Sequence, residues 1–167
     1  FALNLRLPEW CQQAALRLNG EPVQPLPRND RGYLRLERRW EPNDAVELLL
    51  AMPVQRIEAH PNIRDASGKV ALQRGPIVYA FEALDNGGSA RITLGADPKF
   101  QIEHRPGFLG GITVIKGVTA EGTPFQAIPF YALANRAKSA QEVWASQRGL
   151  KPSDSWWLGQ IYRPVPR

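Results

Sequence analysis

The sequence predicts an all-β fold: an antiparallel β-sandwich of jelly-roll type that ends in an irregular C-terminal segment. Three observations carry this reading. The apolar stretches are short and alternate with polar residues at a period of two. They are bounded by turn residues, for which the chain has 15 prolines and 14 glycines in 167 residues. No stretch shows a sustained helical period, and there is no fixed-period repeat, low-complexity block or coiled-coil heptad.

Taken in order, Phe1, Leu3, Leu5 and Leu7 fall on one face of a first strand, with Asn4 and Arg6 on the other. The pattern is already running at Phe1, and Phe1 is not a methionine, so the chain reads as a piece of something longer in which no signal peptide can be sought. Leu16 and Leu18 flank Arg17 in a second strand that meets Asn19-Gly20, a pair suited to a two-residue hairpin because both residues tolerate positive φ. After the proline-rich connector 22–27, Leu34 and Leu36 alternate with Arg35 and Glu37. The turn Glu41-Pro-Asn-Asp44 leads into a fourth strand over 45–52. Further strands are expected at 54–59, 69–73, 77–84, 90–94, 100–103, 112–120 and 125–134. Residues 139–145 suit either a short helical turn or a last strand. Beyond 147 the prolines 152, 164 and 166 predict irregular chain, yet Trp156, Trp157, Ile161 and Tyr162 are too apolar to be left in water, so this segment is expected to pack back.

Bulk properties exclude several classes. A chain with 43% hydrophobic and 22% charged residues can bury a core without staples. The single cysteine, Cys11, rules out an internal disulfide framework and gives no address, so the compartment stays unknown. The longest apolar run, Val46-Glu-Leu-Leu-Leu-Ala-Met-Pro-Val54, contains a charge and a proline and falls short of the roughly 20 residues a membrane helix needs. No membrane partner is expected. The net charge of +5 is spread among acidic residues rather than gathered into a stripe, so no nucleic-acid partner is expected either.

The residues able to do chemistry are few. Glu37, Glu41, Asp44 and Glu47 lie close in sequence, and sugar hydrolysis needs two acids flanking the scissile bond. However, Glu37 and Glu47 take the polar phase of alternating strands and Asp44 sits where Asx side chains bond the backbone, so the structural reading is preferred. Glu82, at the end of a strand, is read the same way. His60 and His104 lie in turn-like contexts, and with Cys11 they offer no ligand spacing for zinc. No catalytic, cofactor-binding or metal-binding residue is assigned. Of the aromatics, Trp10 and Trp40 are expected in the apolar framework. Trp156, Trp157 and Tyr162 are the speculative positions, for packing, for an interface or for stacking on a sugar.

Five motifs in order carry a resemblance: Leu5-Arg-Leu-Pro-Glu-Trp-Cys11, Val46 to Val54, Gly68-Lys-Val-Ala-Leu-Gln-Arg-Gly-Pro-Ile-Val-Tyr79, Ile128-Pro-Phe-Tyr-Ala-Leu-Ala-Asn-Arg136, and Glu142-Val-Trp144. Together they resemble the C-terminal β region of glycoside hydrolase family 127, the β-L-arabinofuranosidase-like enzymes. Glu9 stands where glycine is usual and Leu133 where tryptophan is common. The resemblance implies that residues 1–53 are the remaining part of a middle β-sandwich domain. It likewise implies a C-terminal β-sandwich over 54–146, with 147–167 as the irregular tail, and it favours a strand at 139–145. It further implies a parent enzyme that removes terminal L-arabinofuranose or a similar sugar with retention, using a zinc-bound cysteine in a helical barrel preceding this region. Cys11 matches the β-domain motif rather than that active site and is read as a packing residue; no cofactor is expected in this fragment. The implied role is therefore a non-catalytic β-sandwich portion, with the catalytic barrel of the same parent chain as partner. An autonomous carbohydrate-binding module is the alternative. Self-association through an uncovered sheet edge is also expected.

Overall fold

The computed structural model describes residues 1–29, 31–151 and 161–165. By its contacts the chain forms two compact units, Phe1–Pro53 and Val54–Arg167. The fold is all-β with mostly antiparallel sheets, as the sequence predicts; among the described residues the only helices are the short 3₁₀ turns Arg64–Ala66, Ala83–Asp85 and Phe130–Ala132.

In the first unit, β1 (Ala2–Arg6) pairs with β4 (Tyr33–Glu37), which sets Leu3 opposite Leu36 and Leu5 opposite Leu34. A second sheet places β2 (Ala14–Leu18) between β3 (Glu21–Pro22) and β5 (Val46–Leu50), with Leu16 opposite Leu48. The alternation read from the sequence sorts these side chains. Leu34 and Leu36 are buried while Arg35 and Glu37 face solvent, and Leu7, Cys11 and Leu16 complete the cluster. Burying each leucine contributes about 1.5–3 kcal/mol relative to leaving it in water. Asn19 and Gly20 take φ of 53° and 83°, the left-handed pair that a tight hairpin between β2 and β3 requires.

The second unit is built on the hairpin of β7 (Lys69–Arg74) and β8 (Ile77–Glu82), turned at Gly75-Pro76. Its arms separate beyond the Leu72–Tyr79 pair. Into the fork run β13 (Gln141–Glu142), which pairs with β8, and β14 (Trp144–Gln147), which pairs with β7, so residues 139–145 resolve as strand rather than helix. β14 also pairs in parallel with β9 (Thr93–Leu94). On the other side of β8 follow β12 (Pro124–Pro129), β11 (Ile112–Val118) and β10 (Gln101–Arg105). The outer edge of β7 pairs with β6 (Val54–Ala59), and β6 with β15 (Tyr162–Pro164). Residues 162–164 are thus a strand within a segment whose prolines predict irregular chain. The pairing is reinforced by Arg163, whose Nε donates to the buried Glu58 carboxylate at 2.8 Å.

Inward-facing Val70, Leu72, Tyr79, Phe81, Ile115 and Phe125 form the main core, with Phe81 and Phe125 in edge-to-face contact at 5.7 Å. The strand expected over 125–134 stops at Pro129. Proline has no N–H to continue the ladder, and the chain turns instead through Phe130–Ala132.

Candidate functional site

A polar cluster inside the second unit is assembled by the two chain segments that leave β8 and β12. Glu82 ends β8, and the 3₁₀ turn that follows brings Asp85 onto the same side of the unit. From β12 the chain passes through Phe130–Ala132, places Leu133 against the cluster of Ile112, Val114 and Ile128, and reaches Ala134 at φ 61°. That conformation aims the Ala134 N–H at Glu82 Oε1, 2.8 Å away. Two residues on, Arg136 donates from Nη1 to Asp85 Oδ1 at 2.8 Å and from Nη2 to both Glu82 and Asp85.

The Glu82 side chain is 0% exposed, and each of its oxygens is taken. Hydrogen bonding to Asp85, and then to Glu82, pushes the Arg136 pKa further up and holds the guanidinium charged. The cluster extends outward in an ordered way. Phe108 lies under two guanidinium groups, with the Arg105 Cζ 4.6 Å and the Arg136 Cζ 5.0 Å from its ring centre. Arg105 donates to Gln126 Oε1 at 3.1 Å. Asn86 bridges the Glu82 and Gln126 carbonyls and accepts the Gln126 N–H. A pair of carboxylates is present here, but glycosidic cleavage needs one acid to give a proton to a leaving group and the other to face the sugar. Glu82 has neither a free oxygen nor access. The arrangement fixes a loop to a strand.

The other carboxylates singled out from the sequence are scattered and engaged. Glu37 pairs with Arg35 on the exposed face of β4, Glu47 with Arg17, and Glu41 with Arg39. Asp44 accepts from Asn19 Nδ2 at 2.7 Å and from the Glu41 N–H at 2.9 Å, with Arg38 nearby, and these hold its carboxyl below the usual range. Cys11 is buried among leucines with its Sγ 3.1 Å from the Gln13 carbonyl. His60 Nδ1 accepts the Asn62 N–H at 3.2 Å, and His104 Nδ1 lies 3.3 Å from Thr113 Oγ1. Among the described residues no three His, Cys, Asp or Glu side chains gather as a metal site would require, so this donor set does not fit the zinc that the resemblance implies for the parent enzyme.

Of the aromatics, Trp10 and Trp40 pack against the first unit's core. Tyr162 lies on β15, 53% exposed, with its ring 5.9 Å from that of Trp144. Trp156 and Trp157 lie outside the described residues. Sequence reasoning missed Asp85 and Arg136 as partners of Glu82, since 51 and 54 residues separate Arg136 from them. It also missed Phe130 and Tyr131, which are 54% and 64% exposed. Both lie within the Ile128–Arg136 motif, and only the position of the 3₁₀ turn reveals which way they face.

The two β units and their motifs match two β domains known from one family of glycoside hydrolases. Residues 54–146 match the model of the glycoside hydrolase family 127 C-terminal domain, and residues 1–52 that of the GH127 middle domain of β-L-arabinofuranosidase. The chain belongs to glycoside hydrolase family 127. It is 29% identical over 160 residues to a non-reducing end β-L-arabinofuranosidase of Bifidobacterium longum subsp. longum, a match covering 91% of this chain and 23% of that protein. The crystal structure of a GH127 β-L-arabinofuranosidase from Geobacillus stearothermophilus T6 superposes with a TM-score of 0.80 at 40% identity, over 89% of this chain and 26% of that one. A second GH127 β-arabinofuranosidase structure gives a TM-score of 0.76 at 28% identity, over 88% of this chain and 28% of that one. The chain thus spans about a quarter of the length of these relatives. No helix among the described residues is long and apolar enough to cross a membrane.

Proposed function

We propose that these residues are the non-catalytic β-sandwich portion of a retaining β-L-arabinofuranosidase, where they support the catalytic barrel that the family resemblance places before them. The observation that carries this reading is the state of Glu82 and Asp85. Glu82, the most deeply buried acid among the described residues, and Asp85 are neutralised by Arg136 and closed to substrate; Glu58, also buried, is held by Arg163, while Glu37, Glu41 and Glu47 lie exposed. The match to a middle and a C-terminal domain, over a quarter of each relative's length, supports the same reading. Zinc, and the cysteine chemistry it would serve, belong in this proposal to the barrel.

The test is turnover of an aryl β-L-arabinofuranoside by the 167-residue chain and by the product of the whole reading frame that encodes it. Hydrolysis is expected from the second alone. A second reading, an autonomous carbohydrate-binding module, is favoured by one observation: the exposed Tyr162 ring beside Trp144, a pair able to stack on a sugar face. Titration with arabinan oligosaccharides separates the two, since a module would saturate and lose binding on Tyr162→Ala.

A further inference from the structure

The loop that leaves β12 is rigid where it is buried and apolar where it is exposed. Its far end is fixed by Leu133 in an apolar cluster, by the Ala134 N–H on Glu82, and by Arg136 on Glu82 and Asp85. Between these anchors and the Pro129–Tyr79 pair, the 3₁₀ turn holds Phe130 and Tyr131 out in solvent. Val78, the neighbour of Tyr79 on β8, is also exposed. Two aromatics left exposed on a loop with such deep anchoring cost solubility and add nothing to the unit's own core. An Arg-anchored loop is a means of presenting them.

The same corner carries a cation that has no ion-pair partner among the described residues. Arg74 ends β7 opposite Ile77, two residues from Tyr79 on β8, and Tyr79 in turn pairs with Pro129, the residue before Phe130. Among the described residues no carboxylate stands within ion-pair distance of Arg74. A surface with exposed aromatic rings and an unneutralised arginine alongside has the anatomy of an interface whose partner supplies apolar area and an acidic or carbonyl acceptor.

We infer that Phe130, Tyr131 and Arg74 form the contact by which this β portion docks on the catalytic part of its own enzyme. This rests on the reading given under Proposed function. About three quarters of each relative's length lies outside the matched region, and in that reading the corresponding part of this enzyme would be the covalently linked body that covers the patch. Docking in cis needs little area, because the link replaces the entropy of association by a high effective concentration.

Nitration by tetranitromethane reads the contact directly. Of the four tyrosines, Tyr79 is fully buried and serves as the unreactive control. In the isolated chain Tyr131 is expected to be modified. In the product of the whole reading frame that modification is lost, and the Phe130→Ser/Tyr131→Ser variant lowers the melting temperature of the whole product while leaving that of the isolated chain unchanged. Equal modification of Tyr131 in both, in a whole product that hydrolyses the arabinofuranoside, overturns the contact and leaves the functional reading standing. A whole product without that activity and without a preceding helical domain overturns both. Protection of Tyr131 in the isolated chain by arabinan oligosaccharides assigns the patch to sugar, and protection that grows with protein concentration assigns it to a second copy; either result overturns the proposal.

Discussion

The Arg136 guanidinium closes on the fully buried carboxylate of Glu82, 54 residues earlier in the chain, and so ties the loop after β12 to the end of β8. Removing one partner of such a pair leaves a charge buried without compensation, which costs about 3–5 kcal/mol. Arg136→Met is therefore expected to lower the unfolding free energy by roughly that amount in urea titration. The double variant Glu82→Gln/Arg136→Met recovers part of the loss, because no unpaired charge remains at Glu82. Equal stability of wild type and Arg136→Met would show that the pair does not hold the loop.

Gly117 tests the packing of the second core. It pairs with Phe125 across β11 and β12, and a Cβ at this position would stand 2.7 Å from the Phe125 ring and 3.0 Å from the Lys99 carbonyl. The ring cannot retreat without disturbing its contact with Phe81. Gly117→Ala is expected to destabilise by about 1–3 kcal/mol, the usual cost of overpacking a well-filled core. A thermal melt with an unchanged midpoint would contradict this.

Much of this architecture was legible in the sequence because one face of each strand is buried and the other is wet. Leu34-Arg35-Leu36-Glu37 alternates as a pleat must, and Asn19-Gly20 announces its hairpin. Periodicity does not report pairing between distant segments. The fork that admits β13 and β14, and the meeting of Arg136 with Glu82 and Asp85, are set by tertiary contacts with no local signature. Glu82 reads as a structural acid at a strand end, but the arginine that pairs with it lies 54 residues on, at the end of the Ile128–Arg136 motif. The strand expected through residue 134 ends early because Pro129 removes a ladder donor, and that early end is what turns Phe130 and Tyr131 outward.

Asp44 gives the first unit a sign-specific pH dependence. Hydrogen bonds from Asn19 and from the Glu41 N–H depress its pKa below the ordinary 3.8. A depressed folded-state value favours the folded state above 3.8, and that contribution disappears as pH falls through the lower, folded-state value. An NMR titration of the Asp44 carboxyl is expected to show a midpoint below 3.8, and Asp44→Asn to remove this part of the acid sensitivity. A midpoint at or above the ordinary value would contradict the hydrogen-bonded geometry.

Cys11 packs among Leu7, Leu16 and Leu34 and has no companion ligands among the described residues. Elemental analysis of the purified 167-residue chain is expected to find less than one equivalent of zinc per chain. Stoichiometric metal that disappears with Cys11→Ala would assign it a ligand role instead.

In the proposed role these residues support an arabinofuranosidase without performing its chemistry. The most direct test of that role is the hydrolysis rate of an aryl β-L-arabinofuranoside by the purified 167-residue chain. The expected rate is indistinguishable from that of the uncatalysed reaction. Turnover that is abolished by Glu82→Gln or by Cys11→Ala would contradict it.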